Sequence, residues 1–365
     1  MKVGVITFHS AHNYGASLQT WALQKVLKNE GHEPCVINYH TEVIDDLYDP
    51  IKEKTPVKRF FKKIKLRFTA NDSLVRVKRY NNFIQENFNL LGDYHSYEEL
   101  QAGEHNLDAY ITGSDQVWND AHIGGYDPSF YLEFAPKNAI KLSYAASTGS
   151  DFIPVMYAHK IHNALADYKG VSIRESSALP AVSELYDGKV EVVIDPTLLL
   201  EKEDYEDILV KPSLGEKYIL VYMMENNKQM VRLVNKLSRA LGLPVVQRRK
   251  DKMFENEIMR TYTSTPGEFI GLIEGAEYVV TNSFHGTVFS IIFGKPFISM
   301  IHSSTGARTI DLLESLGLDS HLLYDAEDFD FSMFFTKNKD EAMGKLKALR
   351  ENSLEFLRKH LVNKK

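Results

Sequence analysis

His285 stands in the segment Thr281-Asn282-Ser283-Phe284-His285-Gly286-Thr287, where an apolar run ends and helical spacing begins. At such a place unpaired backbone N–H groups and the positive end of a helix dipole face outward, so an anion can be held there. A histidine beside them can hydrogen-bond that anion or exchange a proton near neutral pH. Ser283 and Thr287 offer hydroxyls, and Gly286 leaves room for a ligand to approach the backbone. The competing reading of His285 is a helix cap or a packing contact with the next strand. Arg174 follows the apolar run 170–173 and precedes Glu175-Ser176-Ser177. A guanidinium at a strand's carboxyl end suits a carboxylate or phosphate, because its planar fork binds two oxygens at once. An ion pair with Glu175 or another nearby carboxylate is its alternative use. Arg308 closes the polar run Ser303-Ser304-Thr305-Gly306-Ala307 and is a second candidate anion clamp.

Two further loops carry polar groups. His9, His12, Asn13, Tyr14 and Gly15 fill the turn after the first apolar run, but without the glycine spacing of a dinucleotide fingerprint or a P-loop. Gly113-Ser114-Asp115-Gln116 follows another apolar run and sets a carboxylate beside a hydroxyl, although an aspartate there also serves as a helix cap. No Cys/His/Asp grouping has metal-ligand spacing and no G-x-S-x-G elbow occurs, so no metal is expected. Cys35 is the only cysteine, expected to be a buried inert thiol.

The elements that must position these groups alternate. Residues 3–8 read as a strand, 16–30 as a helix with Leu18, Trp21, Ala22 and Val26 on one face, and 34–39 as a second strand. That opening is the start of a parallel α/β sheet, in which ligands gather at the carboxyl ends of strands. Further short apolar runs at 109–112, 142–146, 170–173 and 192–194 continue it. A second series begins at Lys217, with strands at 218–223, 243–247, 278–281 and 297–301. Its helices fall at 229–241, 269–274, 286–293 and 308–316. Thr265-Pro266-Gly267-Glu268 is a helix start signal within it. With 365 residues, two domains are expected: 1–200, 201–335, and a C-terminal helix at 336–365 packing back on the first. Two Rossmann-like halves joined in the 195–215 region correspond to the GT-B arrangement, with a site in the cleft between them.

Hydrophobic residues make up 44% and charged residues 25% of the chain, as in ordinary folded proteins. The formal net charge of -6 gives no global reason to expect nucleic acid. Residues 51–80 run against it, with eleven Lys or Arg against Glu53 and Asp72. A solvated helix face is one reading of that run. Contact with an anionic membrane surface or a lipid-linked substrate is another, which the interleaved Phe60, Phe61, Ile64, Leu66 and Phe68 suit, and nucleic-acid binding is a third, which the acidic remainder of the chain opposes. The first eight residues are too short an apolar run for a secretory leader, and no run of about 18 apolar residues occurs. A cytoplasmic protein, at the inner face of the membrane if the basic run binds there, is the expectation.

The ordered series of motifs resembles the bacterial polysaccharide pyruvyltransferase family. It comprises Ile6-Thr7-Phe8-His9 with Asn13-Tyr14-Gly15-Ala16 and Leu18-Gln19, then Thr112 to Asn119, then Ser143-Tyr144-Ala145-Ala146-Ser147. Ser172-Ile173-Arg174-Glu175, Asp195-Pro196-Thr197 and Ser283-Phe284-His285-Gly286 complete it, so the resemblance runs to about residue 318. It implies a GT-B-like fold, phosphoenolpyruvate as co-substrate, no other cofactor, and a hexose acceptor in a saccharide, lipid-linked in this reading. It also implies donor contacts at Arg174 and His285, while the first loop and Asp115 face the acceptor. The chain departs from the family pattern at Ala16, where many members carry an acid, so that His9, His12 or Asp115 would take its duty. It departs again at Ser283, where an arginine is common and Arg308 would substitute. Two rivals stand beside this reading: a nucleotide-sugar GT-B glycosyltransferase, and a non-catalytic binding protein of a polysaccharide assembly complex.

Overall fold

The computed structural model describes residues 1–48, 72–303, 306–335 and 339–362. Most of the basic run therefore lies outside the described residues. The chain divides into two compact units, Met1–Leu200 with Leu349–Lys365, and Glu201–Ala348.

The first unit is built on β1 (Lys2–Ile6), β2 (Glu33–Tyr39), β3 (Leu90–Tyr94), β4 (Ala109–Thr112) and β5 (Ile140–Ser143). They form a parallel sheet in the order β3-β2-β1-β4-β5. A parallel pair, β6 (Val171–Ile173) and β7 (Val190–Val192), joins it through bridges from Leu142 to Gly170 and from Ala146 to Ile173. Its helices are α1 (Tyr14–Asn29), α2 (Glu42–Tyr48), α3 (Asp72–Asn87), α4 (Tyr97–Ala102), α5 (Asp120–Ile123), α6 (Val155–Leu165) and α7 (Leu179–Ser183). In the second unit β8 (Ile219–Tyr222), β9 (Val245–Gln247), β10 (Glu257–Arg260), β11 (Tyr278–Thr281), β12 (Phe297–Met300) and β13 (Leu322–Leu323) are parallel, in the order β10-β9-β8-β11-β12-β13. Its helices are α8 (Lys228–Leu241), α9 (Pro266–Gly275), α10 (Phe284–Ile292) and α11 (Ala307–Leu316). The helix α12 (Lys339–His360) closes the series.

The expected α/β class with two Rossmann-like units is what the structure has. In each unit the strand order reverses beside the first strand, between β1 and β4 and between β8 and β11. Such a reversal splays the connecting helices to opposite faces and opens a crevice at the strands' carboxyl ends. Central strands β4, β8 and β12 are buried throughout, which is why they read as unbroken apolar runs. The edge strands β3 and β10 were not expected from the sequence. Each has partly or fully exposed side chains along its length, so no apolar run marks it. The expected connector at 195–215 is not simple linker either, since Pro196–Leu199 is a buried 3₁₀ turn.

The latter part of α12 belongs to the first unit. Arg350 donates to the carbonyls of Leu198 (2.9 Å) and Leu200 (3.2 Å), and Ser353 Oγ accepts from the Ile194 N–H at 3.1 Å. Phe356 is buried, and Arg358 binds both carboxylate oxygens of Glu30 at 2.7 and 2.9 Å.

In the second unit, α9 is capped by Thr265 and Glu268 in a reciprocal box, as the sequence signal implies. Its Gly267 and Gly271 lie one turn apart on one face and let the segment before β8 run directly against the helix backbone. A Cβ on Gly271 would stand 2.0 Å from the Val210 carbonyl oxygen, and the Val210 N–H donates to Gly267 O at 3.1 Å. Because backbone cannot move aside as a side chain can, Gly271→Ala should destabilise this unit by roughly 1–3 kcal/mol, read by calorimetry. An unchanged unfolding transition would show that the segment is not held there.

Candidate active site

In the first unit the polar groups converge at the carboxyl ends of β1, β4, β5 and β6. Arg174, one residue past β6, is buried and pairs with Asp195 Oδ2 at 2.8 Å and with Glu175 Oε1 at 3.5 Å. Ser114 Oγ lies 3.2 Å from Asp195 and 3.3 Å from the guanidinium. The other Asp195 oxygen accepts from Thr197 N and Oγ1 at 3.0 and 2.6 Å, and Ser147 Oγ donates to Glu175. Thr7 Oγ1 donates to Ser114 O at 2.6 Å and accepts from Gln19 Nε2 at 3.0 Å, tying the first loop to the same cluster. Burial works against a charge on Arg174, but Glu175, Asp195 and Asp115 outweigh it and hold the guanidinium above its ordinary value. The ion pair with Asp195 and Glu175 is the contact that the structure displays for Arg174.

Backbone conformation singles out the same edge. Asp115 takes φ 83° and Ala145 φ 52°, left-handed values that L-residues with a Cβ seldom adopt. The Asp115 carboxylate turns back to accept from the Gln116 N–H at 2.9 Å, and its carbonyl accepts from Ser147 N at 3.0 Å. His9 is buried, with Nδ1 3.2 Å from Thr7 O and Nε2 2.8 Å from Asn38 Oδ1, and burial pushes its imidazole below the ordinary range. Asn13 caps α1 by accepting from the Gly15 N–H at 2.8 Å.

In the second unit the groups gather at the ends of β8, β11 and β12. Ser283 caps α10, accepting from Gly286 N, and His285 lies in the first turn with its ring 5.1 Å from that of Phe284, edge to face. Arg308, in the first turn of α11, sets its guanidinium 5.6 Å from the Phe284 ring centroid, so cation, aromatic ring and imidazole are grouped together. Asn282 latches the neighbouring loop, accepting from Met224 N at 2.7 Å and donating to Glu225 O at 3.3 Å. The Glu225 carboxylate accepts from Ser303 N at 2.7 Å and Ser303 Oγ at 2.6 Å, with His302 Nε2 3.9 Å away. Burial alone would raise that carboxyl, but these hydrogen bonds and His302 outweigh it and hold it below the usual carboxylate range.

Several sequence assignments change at this level. Tyr14 is 1% exposed and stacks on Tyr80 at 5.8 Å, so its side chain is core and does not face an acceptor. Thr287 is fully buried and bonds Ser283 O at 3.2 Å and Ser299 Oγ at 2.8 Å, which commits its hydroxyl to helix–strand packing. Gly286 serves close approach of α10 to β11: a Cβ there would stand 2.3 Å from Thr281 Oγ1. Gly15 lies inside the first turn of α1. Sequence reasoning missed Asn38, Asn282, Glu225 and the pairing of Asp195 with Arg174, because these contacts span 21 to 78 residues and no local pattern announces them. Cys35 is buried and its thiol is pushed up to about 11, too high for a nucleophile. Among the described residues no group of three or more His, Cys, Asp or Glu is placed to hold a metal ion.

Two doubly wound units, each with polar side chains at its switch point, define a protein of the doubly wound α/β class. The chain belongs to the polysaccharide pyruvyl transferase family, whose model matches residues 13–304, and is thereby a transferase. No curated protein matches it. Among solved structures it is similar to the Streptomyces sp. SF2575 glycosyltransferase SsfS6 complexed with thymidine diphosphate, at 13% identity and TM-score 0.48, covering 98% of this chain and 99% of that one. A UDP-GlcNAc 2-epimerase from Neisseria meningitidis bound to UDP-GlcNAc aligns at 9% identity and TM-score 0.47 over 100% of this chain and 95% of its own. The N-terminal domain of Candida albicans trehalose-6-phosphate phosphatase aligns at 9% and 0.49, over 99% and 96%. The fold assignment rests on the strand orders, not on these scores.

Removing one partner of the buried pair strands the other charge. Asp195→Ala should therefore destabilise the first unit by about 3–5 kcal/mol, whereas replacing Arg174 and Asp195 together by apolar residues should be milder. Both tryptophans, Trp21 and Trp118, lie in this unit, so urea unfolding followed by their fluorescence reads it directly. An unshifted midpoint for the single variant would contradict the assignment.

Proposed function

We propose that the protein transfers pyruvate from phosphoenolpyruvate to a hexose of a lipid-linked saccharide as a cyclic ketal, releasing phosphate. The observation that carries the donor side is the grouping of Arg308, Phe284 and His285 at the amino end of α10. Phosphoenolpyruvate brings a carboxylate and a phosphate, and the helix N-terminus and the guanidinium supply positive potential for both. His285 gives a proton to the methylene carbon, which makes the adjacent carbon oxocarbenium-like. One sugar hydroxyl attacks that carbon, the C–O bond to phosphate breaks, and a second hydroxyl closes the ring. Of the two hydroxyl protons, one balances the proton added to carbon and the other leaves with the phosphate. Ser283 orders the helix start, and Arg308 stands in for the arginine missing at position 283.

His9, His12, Asn13 and Asp115 form the acceptor side of the proposal, at the carboxyl edge of the first unit. Arg174 enters it as the cation that fixes this edge. No redox cofactor is needed by such a reaction. Among the described residues no helix is long and apolar enough to cross a membrane. The basic run 51–80 is the proposed contact with the anionic inner surface that carries a lipid-linked acceptor.

Incubation with phosphoenolpyruvate and hexose-containing saccharides should release phosphate and yield a pyruvylated product. His285→Ala should lower the rate by roughly 10²-fold or more. A near-wild-type rate in that variant removes His285 as the acid, and no phosphate release with any such acceptor removes the reading itself.

A further inference from the structure

Ketal formation also requires a base for the attacking hydroxyl, and Ala16 cannot supply one. Three titratable side chains of the first unit's edge compete for that role. His9 has both ring nitrogens against protein oxygens, Thr7 O and Asn38 Oδ1, so its lone pair is turned to the protein and not to a ligand. The Asp115 carboxylate turns back onto the backbone, where one oxygen accepts from the Gln116 N–H at 2.9 Å. His12 differs. Its Nε2 lies 3.0 Å from Asn81 Oδ1; with the proton on Nε2 this contact is a hydrogen bond and the lone pair falls on Nδ1. That Nδ1 is buried and has no hydrogen-bond partner, and the residue as a whole is 9% exposed. A buried acceptor left unmatched forgoes about 1–3 kcal/mol, which a bound hydroxyl would restore.

Tyr48 of α2 and Tyr80 of α3 flank the imidazole with ring centroids at 5.5 and 5.4 Å; Tyr80 is fully buried, and only the partly buried Tyr48 has an apolar face beside this polar atom. Arg76 of α3 donates to the His12 carbonyl and so fixes the loop. Asn81 is exposed, so the group that sets the tautomer lies at the surface.

We propose that His12 is the general base toward the acceptor hydroxyl and that Asn81 is its positioning residue. The role rests on the pyruvyl-transfer reading and names one residue's part in it. The hydroxyl O–H bond breaks as an N–H bond forms at Nδ1, the freed electron pair becomes the new C–O bond, and the imidazolium discharges its proton to water. The charged and titratable groups facing the ring are Arg76 and Tyr80 on α3, and Asp45 and Tyr48 on α2. Burial, opposed by the Asn81 hydrogen bond and assisted by Arg76, holds the imidazole below its ordinary range, so the neutral base persists into mildly acidic solution.

The test has two arms. Long-range proton–nitrogen NMR of the histidine-labelled protein should find His12 protonated on Nε2 and bare on Nδ1, with Asn81→Ala mixing the tautomers. With phosphoenolpyruvate and a turned-over acceptor, kcat/KM should fall on the acid side with an apparent pKa below about 6.5. His12→Gln should lower kcat/KM by roughly 10²-fold and abolish that limb. Asn81→Ala, at an exposed position, should lower it by about tenfold and move the limb to lower pH, and Asn81→Asp should restore the rate while moving the limb to higher pH. A proton on Nδ1, or an unchanged acid limb in His12→Gln, overturns the proposal. If no acceptor is turned over by the wild type, the base role falls together with the reaction. Turnover with an unaffected His12→Gln leaves the reaction standing and removes His12 alone.

Discussion

The buried pair of Arg174 and Asp195 is the constraint on which the first unit's functional edge depends. A guanidinium in a low-dielectric interior is tolerable only when its charge is answered and its hydrogen bonds are made. Asp195 and Glu175 answer the charge and Ser114 and Asp195 take hydrogen bonds from Nη1, which brings the ends of β4 and β6 and the turn at Pro196–Leu199 to one point. Thr7 and Gln19 extend the network to β1 and α1, so the loop carrying His9, His12 and Asn13 is held from below. The left-handed backbone at Asp115 and Ala145 belongs to the same few residues. Charge at this edge therefore serves the structure.

The second unit's edge is ordered by different means. Asn282 and Glu225 act as polar latches between the ends of β8, β11 and β12, and the arginines are seated on aromatic rings: Arg308 on Phe284 and Arg248 on Tyr222. A planar guanidinium over a ring is oriented by that contact. His285 stands beside this arrangement on a helix start that is itself capped.

Much of the framework was legible because parallel strands buried on both faces write themselves as apolar runs. β1, β4, β8, β11 and β12 all declare themselves in this way. Edge strands β3 and β10 do not, since a half-exposed strand can be polar wherever it meets water. The site was legible to a lesser depth. His285, Arg174 and Arg308 can be named from their places after strands, and the cap at Ser283 follows from its type. What each does with its side chain depends on partners far along the chain, as with Arg174 and Asp195 or His12 and Asn81. Tyr14, Thr287 and Gly286 show the opposite limit, for a polar or small residue in a loop motif can serve packing alone.

The central claim is that phosphate leaves by cleavage of its bond to carbon, after protonation of the donor's methylene. Phosphoenolpyruvate carrying oxygen-18 in the bridging position, turned over in deuterated water with a saccharide acceptor, tests both halves at once. The account predicts that the label appears in the released phosphate and that the ketal methyl group carries deuterium. Label retained on the pyruvyl carbon, or a product methyl group without deuterium, would contradict it.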